Sequence, residues 1–128
     1  MPIPKPSELE QQVLSVLWDR GPSTVRAVMG ALSDGKERAY TTVLTVLQGM
    51  EKKGLVRHEQ QGLAHVFAPE VSRDDVAQPL MKAWLRTIFG GQPSKVVQML
   101  LDTGEVSPEE LRQIRQIIDE AGQEHPSK

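Results

Sequence analysis

Within Arg38–Gly54, RAYTTVLTVLQGMEKKG, the residues Thr41, Thr45, Gln48 and Lys52 recur at steps of four, three and four. Read as a helix, that spacing places them on one side. The side is polar, almost uncharged until Lys52, and made of short or hydrogen-bonding groups. Thr and Gln both donate and accept at base edges, and a Thr methyl can meet a thymine methyl, so such a face suits a DNA groove. The opposite side carries Tyr40, Val43, Leu44, Leu47 and Met50 at steps of three and four, an apolar stripe for a core. Taken alone, the segment reads first as an ordinary amphipathic helix with a solvated face. The neighbouring elements decide between the two.

Two helices precede it. Ser7-x-x-Glu10 is a capping-box pattern, opening a helix whose stripe is Leu9, Val13, Val16 and Leu17, with Leu14 and Trp18 beside it. Asp19-Arg20-Gly21-Pro22 stops that helix, and Ser23 is the N-cap candidate for a second, carrying Val25, Val28, Met29 and Leu32. Ser33–Glu37 is a polar turn into the third helix, which ends at Gly54. The period then changes. Leu55–Glu59 and Leu63–Ala68 are short and β-prone, and Gln60-Gln61-Gly62 separates them, so a two-stranded hairpin with Gly at its tip is expected. Helix, helix, helix, hairpin is the winged variant of helix-turn-helix, in which two helices brace a third in the major groove. In that setting Lys52 and Lys53 become phosphate contacts as well as a solvated helix end.

The rest of the chain is helical. Ser72-x-x-Asp75 caps a helix with Val76, Leu80, Trp84 and Ile88 in its stripe, and Met81, Leu85 and Phe89 adjoining. Pro79 would kink it or delay its start. Val96, Val97, Leu100 and Leu101 mark a short helix after Pro93. Ser107-Pro108-Glu109-Glu110 opens a last one lined by Leu111, Ile114, Ile117 and Ile118. These roughly fifty residues are marginal as a lone domain, and oligomerisation is the simplest way to bury so wide a stripe. The expected interface is Leu80, Trp84, Leu85, Ile88, Phe89, Leu100, Leu111, Ile114 and Ile118. A twofold dimer would also supply a second DNA half-site. The organisation is therefore mainly α with a small β-hairpin. A winged helix-turn-helix spans residues 1–71, a three-helix dimerisation domain spans 72–122, and a flexible tail spans 123–128.

Composition narrows the function. The 128 residues carry a net charge of −2 and no Cys. Residues 1–70 hold eight basic and eight acidic side chains, and residues 71–128 hold seven and nine, so any nucleic-acid site is a local patch. Without Cys there are no disulfides, no thiol catalysis and no thiolate metal site. No apolar run is long enough to span a membrane and no secretory leader is visible, so a cytoplasmic protein is expected. Ser7, Ser23, Ser72 and Ser107 are accounted for as caps, no catalytic motif occurs, and no enzyme or cofactor is expected. His58 and His65, on the two hairpin strands, are too few to make a metal site.

The blocks SELEQQVLSVLWDRGPSTVRAV, AYTTVLTVLQGMEKKGLV and QGLAHVFAPEVS together resemble the BlaI/MecI family of bacterial repressors, from about Pro6 to Glu120. The most specific parts are Glu10, Val13, Leu17 and Trp18, and the YTTVxTxL block with its KKG ending. The resemblance implies a homodimeric repressor on palindromic operators, in a family that controls β-lactam resistance and other regulons. A sensor protease often relieves such repression. By position it implies Thr41, Thr42 and Thr45 in the groove, with Tyr40 at the helix start. Arg38, Lys52, Lys53 and Arg57 would sit on phosphates. The family's copper-responsive branch needs a Cys-rich motif that this chain lacks. Gly49 stands where the family usually has Arg, and Gly62-Leu63 where its wing usually reads Gly-Arg. Gln98-Met99 replaces the Asn-Phe processing pair of staphylococcal members. That third departure bears on cleavage, whereas the two missing Arg positions and the near-neutral N-terminal half motivate the alternative of a winged-helix protein–protein module or anti-regulator with little DNA affinity.

Overall fold

The computed structural model describes residues 3–32 and 34–124. Its elements are α1 (Glu8–Arg20), β1 (Ser23–Thr24), α2 (Val25–Ala31), α3 (Tyr40–Lys52), β2 (Val56–Gln61), β3 (Ala64–Pro69), α4 (Arg73–Thr87), α5 (Pro93–Asp102) and α6 (Pro108–Glu124). Ser33 of the expected turn, Met1 and Pro2 of the lead-in, and residues 125–128 of the expected tail lie outside the described residues. The chain divides into two compact units, Met1–Met81 and Lys82–Lys128, so the division falls inside α4 and not at its start.

In the first unit, α1 opens with the expected capping box. The Ser7 hydroxyl accepts the Glu10 N–H at 3.2 Å, and the Glu10 carboxylate accepts the Ser7 N–H at 2.9 Å. The cap of α2 differs from expectation. Thr24, not Ser23, accepts the Ala27 N–H, at 3.1 Å. The reason is that Ser23 and Thr24 form a third strand, pairing Ser23 with Phe67 and Thr24 with Val66. The wing is therefore a three-stranded antiparallel sheet in the order β1-β3-β2. A two-residue strand is too short for alternation to show in a sequence. The β2–β3 register runs from Val56↔Pro69 to Gln61↔Ala64, so the turn is Gly62-Leu63, one step beyond the expected Gln60–Gly62. Gly62 has φ +61° and Leu63 a negative φ, the signature of a type II′ hairpin turn.

Helix α3 ends in a Schellman motif. The Leu55 N–H reaches the Met50 carbonyl and the Gly54 N–H the Glu51 carbonyl, both at 3.0 Å. Gly54 holds φ +80°, which a side chain would strain. The core joins Val13, Leu14 and Leu17 of α1, Val25 and Val28 of α2, Val43, Leu47 and Met50 of α3, and Leu55, Val56, Phe67 and Val76. Tyr40, expected on this buried side, is 40% exposed, because it lies at the first turn of α3, where the helix leaves the core. Trp18 is half-buried against the core, and its indole N–H donates to the Val71 carbonyl at 2.9 Å.

The start of α4 shows the Ser72/Asp75 reciprocal cap, at 3.1 and 3.0 Å. The helix runs through Pro79 without stopping, at the cost of the hydrogen bond Pro79 cannot donate. Leu80, expected at a dimer interface, is half-buried against the first unit's core. In the second unit, α4 ends at Thr87, which leaves Ile88 and Phe89 just beyond it. No residue of α5 is buried. In α6 the Ser107 hydroxyl accepts the Glu110 N–H at 3.1 Å, and the helix continues through Gln123 and Glu124, into the stretch expected to be a tail.

An ion pair joins α1 to the end of α3. Lys53, just past α3, donates from its ammonium to both oxygens of Glu10, at 3.1 and 2.9 Å. Burial raises the Glu10 carboxyl pKa. The Lys53 hydrogen bond and the Ser7 N–H outweigh it, and the group sits below the ordinary glutamate range. A lowered folded pKa gives stability that is present above the unfolded value and lost as pH falls through the folded one.

Two outcomes follow. Leu47→Ala removes a side chain with no solvent exposure and should lower stability by about 3 kcal/mol in denaturant unfolding. Glu10→Gln keeps the cap but loses the charge pair. It should cost about 1 kcal/mol at neutral pH, and in thermal melts its deficit should vanish as the solution is taken below the glutamate range. A deficit that persists unchanged in acid would show that the charge pair contributes nothing.

Candidate nucleic-acid interface

The inner face of α3 is locked by Val43, Leu47 and Met50, all buried in the core. That leaves Thr41, Thr42, Thr45, Gln48 and Lys52 exposed on the outer side. The structure thus brings together the polar residues that their spacing predicted, and adds Thr42. The Thr45 hydroxyl donates to the Thr41 carbonyl at 2.8 Å. Its proton is committed to the helix, so outward it offers its lone pairs and its methyl. Gly49 leaves the later turn bare, and a Cβ there would meet nothing within 4 Å. No close approach therefore demands this glycine.

The cations expected on phosphates have unequal freedom. Arg38 forks onto Asp34, with its Nη1 donating to Oδ1 at 3.0 Å and its Nη2 to Oδ2. That guanidinium, helped by the Lys36 N–H, holds the Asp34 carboxyl well below the usual carboxylate range. Lys53 is paired with Glu10, and Arg57 donates to the Glu70 carboxylate at 3.2 Å and the Pro69 carbonyl at 3.1 Å. Among the described residues, Lys52 alone of the four has no carboxylate partner.

Other groups gather beside the face. The guanidinium of Arg26, on α2, lies over the Tyr40 ring, 5.2 Å from its centroid. Arg26 also has no carboxylate partner among the described residues, and the spacing of α2 gave no reason to single it out. Its signal is a basic residue in the bracing helix ahead of an aromatic at the start of the third. Arg26 and Tyr40 line a cleft of about 410 Å³ together with Thr24, Val25, Leu44, Gln48, Leu63, Ala64 and His65. Leu63, at the hairpin turn, is fully exposed. His58 and His65 stack with ring centroids 5.0 Å apart, and the His58 Nδ1 lies 2.7 Å from the Glu51 carboxylate. Among the described residues no group of three or more His, Asp or Glu side chains is placed to hold a metal ion. No helix of the described residues is long and apolar enough to cross a membrane.

Comparison with known proteins agrees with this geometry. Residues 6–120 match the family model of the penicillinase repressor. The chain is 26% identical to the penicillinase repressor of Bacillus licheniformis over 118 residues, covering 92% of each chain. It is 47% identical to the transcriptional regulator BlaI of Mycobacterium tuberculosis over 75 residues, which span 58% of this chain and 54% of that one. Among solved structures, the DNA-binding domain of the repressor BlaI superposes with a TM-score of 0.50 at 29% identity, covering 57% of this chain and 89% of that one. An outward polar helix face braced by two helices and flanked by a wing, within a match over residues 6–120, places this chain in the penicillinase repressor family of DNA-binding transcriptional repressors, which are not enzymes.

Proposed function

We propose that this repressor works as a homodimer on a palindromic operator, each copy laying α3 in a major groove. The observation that carries the reading is the division of α3. Its inner face has no mobility to spare, and its outer face is exposed, polar and uncharged up to Lys52. Thr41, Thr42 and Thr45 would meet base edges, with Gln48 one turn on and Tyr40 at the groove margin. Lys52 is free to meet a phosphate. Arg38, Lys53 and Arg57 could do so only by loosening their carboxylate partners, and each such exchange lowers the net gain. Repression would follow from promoter occupancy in the cytoplasm.

The dimer reading rests on the second unit's surface. Trp84 is 48% exposed and Ile88 68%, and Leu100 and Ile118 are more than half exposed, with Leu85, Phe89, Leu111 and Ile114 half-buried among them. Exposed apolar side chains in this number on α4, α5 and α6 are what a second copy would cover. A regulatory protease cutting this unit would release the operator by dissolving the dimer.

A titration of the chain's own promoter region against random duplex, at two salt concentrations, tests the reading. Tighter promoter binding at physiological salt is expected, and equal binding would leave the protein–protein module as the better account. Thr41→Ala should weaken operator binding by roughly 1 kcal/mol, about fivefold, while changing stability by less than about 0.5 kcal/mol, as for an exposed position. Trp84→Ala should shift sedimentation from dimer towards monomer; an unchanged dimer would move the interface elsewhere.

A further inference from the structure

We propose that Arg26, held in place by the Tyr40 ring, grips a phosphate of the operator backbone in the cleft between α2, α3 and the wing. The proposal deepens the operator-binding reading and rests on it.

Three features of the cleft converge. The first is charge. Arg38, Lys53 and Arg57 each face a carboxylate at hydrogen-bond distance. Arg26 faces none among the described residues, and neither does any group lining its cleft, since Thr24, Val25, Arg26, Tyr40, Leu44, Gln48, Leu63, Ala64 and His65 include no acid. With Lys52 at the far end of α3, Arg26 is therefore a cation beside the reading face that need not first give up a carboxylate partner among the described residues. The chain as a whole has little positive charge to spend.

The second feature is preorganisation. A free arginine loses rotamer entropy when it binds, and stacking on an aromatic face removes part of that loss in advance. The Arg26 guanidinium lies 5.2 Å from the Tyr40 centroid, within cation–π range. Stacking leaves the edge of the guanidinium and its N–H donors free to fork onto phosphate oxygens. Tyr40 is the first residue of α3, so the clamp is tied to the helix that reads the groove.

The third is position. Gln48 belongs both to the cleft and to the exposed face of α3. The cleft is thus continuous with the reading surface and bounded on its far side by the wing residues Leu63, Ala64 and His65. A duplex whose major groove takes α3 must carry a backbone past that margin, and the wing has no cation at its Gly62-Leu63 tip to hold it. The polar groups of Tyr40, Gln48 and His65 surround the phosphate seat, while Leu63 can lie against a sugar.

The experiment is a salt titration of promoter and random duplex binding by the full chain and its variants. Arg26→Gln should weaken both duplexes alike and flatten the log–log salt slope by about two units for a bound dimer, the mark of one lost phosphate contact in each copy. Arg26→Lys should keep the slope but lose affinity, because the charge remains and the stacked fork does not. Tyr40→Phe keeps the ring that holds Arg26 and should retain the slope and most of the affinity, whereas Tyr40→Ala should lose more affinity with the slope retained. Thermal melts of each variant confirm that the fold is intact, as expected for exposed side chains. An unchanged slope in Arg26→Gln overturns the clamp while the parent's promoter preference still stands. A parent with no preference for its promoter overturns the operator reading instead, and no DNA binding at all overturns both.

Discussion

Everything the first unit can do depends on the burial of one side of α3. Val43, Leu47 and Met50 share one buried cluster with side chains from α1, α2, β2 and β3 and are almost closed to solvent. Interiors packed to this density do not deform gradually, so the helix cannot roll about its axis without breaking contacts. The chemical character of the outer face is thereby converted into a fixed array. Thr41, Thr42, Thr45 and Gln48 need no ordering of their own backbone when they meet a ligand, and little binding energy is spent on arranging them. The Glu10–Lys53 pair acts at the other end of the same helix. It joins the first turn of α1 to the residue after α3, 43 positions apart, so the C-terminal end of α3 is tied to α1.

The cost of this anchoring falls on charge. A near-neutral domain has few cations, and three of the four expected on phosphates, Arg38, Lys53 and Arg57, are used to hold the protein to itself. Pairs of this kind at the surface contribute little stability each. Their larger effect is to remove positive potential from the face that meets a polyanion. In the proposed binding mode, affinity would come more from base-edge contacts and from doubling through a dimer than from the backbone, and non-specific binding would be correspondingly weak. That balance suits a repressor that must leave most of a chromosome alone.

Most of this architecture was legible in the residues. Caps at Ser7, Ser72 and Ser107 are local devices, satisfied within one turn, and each appears as its spacing implies. The division of α3 was legible because a 3.6-residue period shows over thirteen residues. What was hidden depends on partners distant in sequence. β1 exists only because Phe67 and Val66 offer backbone groups to Ser23 and Thr24, and two residues carry no period. The occupation of Lys53 by Glu10 and of Arg57 by Glu70 is a tertiary fact, invisible to a reading that counts charges along the chain. The closeness of Arg26 to Tyr40 spans a turn whose path no pattern specifies. Leu80 likewise joined a stripe on α4 by spacing, but belongs to the first unit's core by contact.

The junction between α3 and the wing has a consequence for the DNA. Gly54 closes the Schellman motif, Leu55 is buried, and β2 begins at Val56, so there is no free residue between the reading helix and the strand that leads to the wing. The two cannot swing apart to follow a groove of different width. With α3 docked in a groove as proposed, any mismatch between their separation and the spacing of groove edges would be absorbed by bending or narrowing the duplex. Base pairs that no side chain touches would then affect binding through their stiffness. A rigid linker of three residues would make the mechanics of the operator part of what the repressor reads.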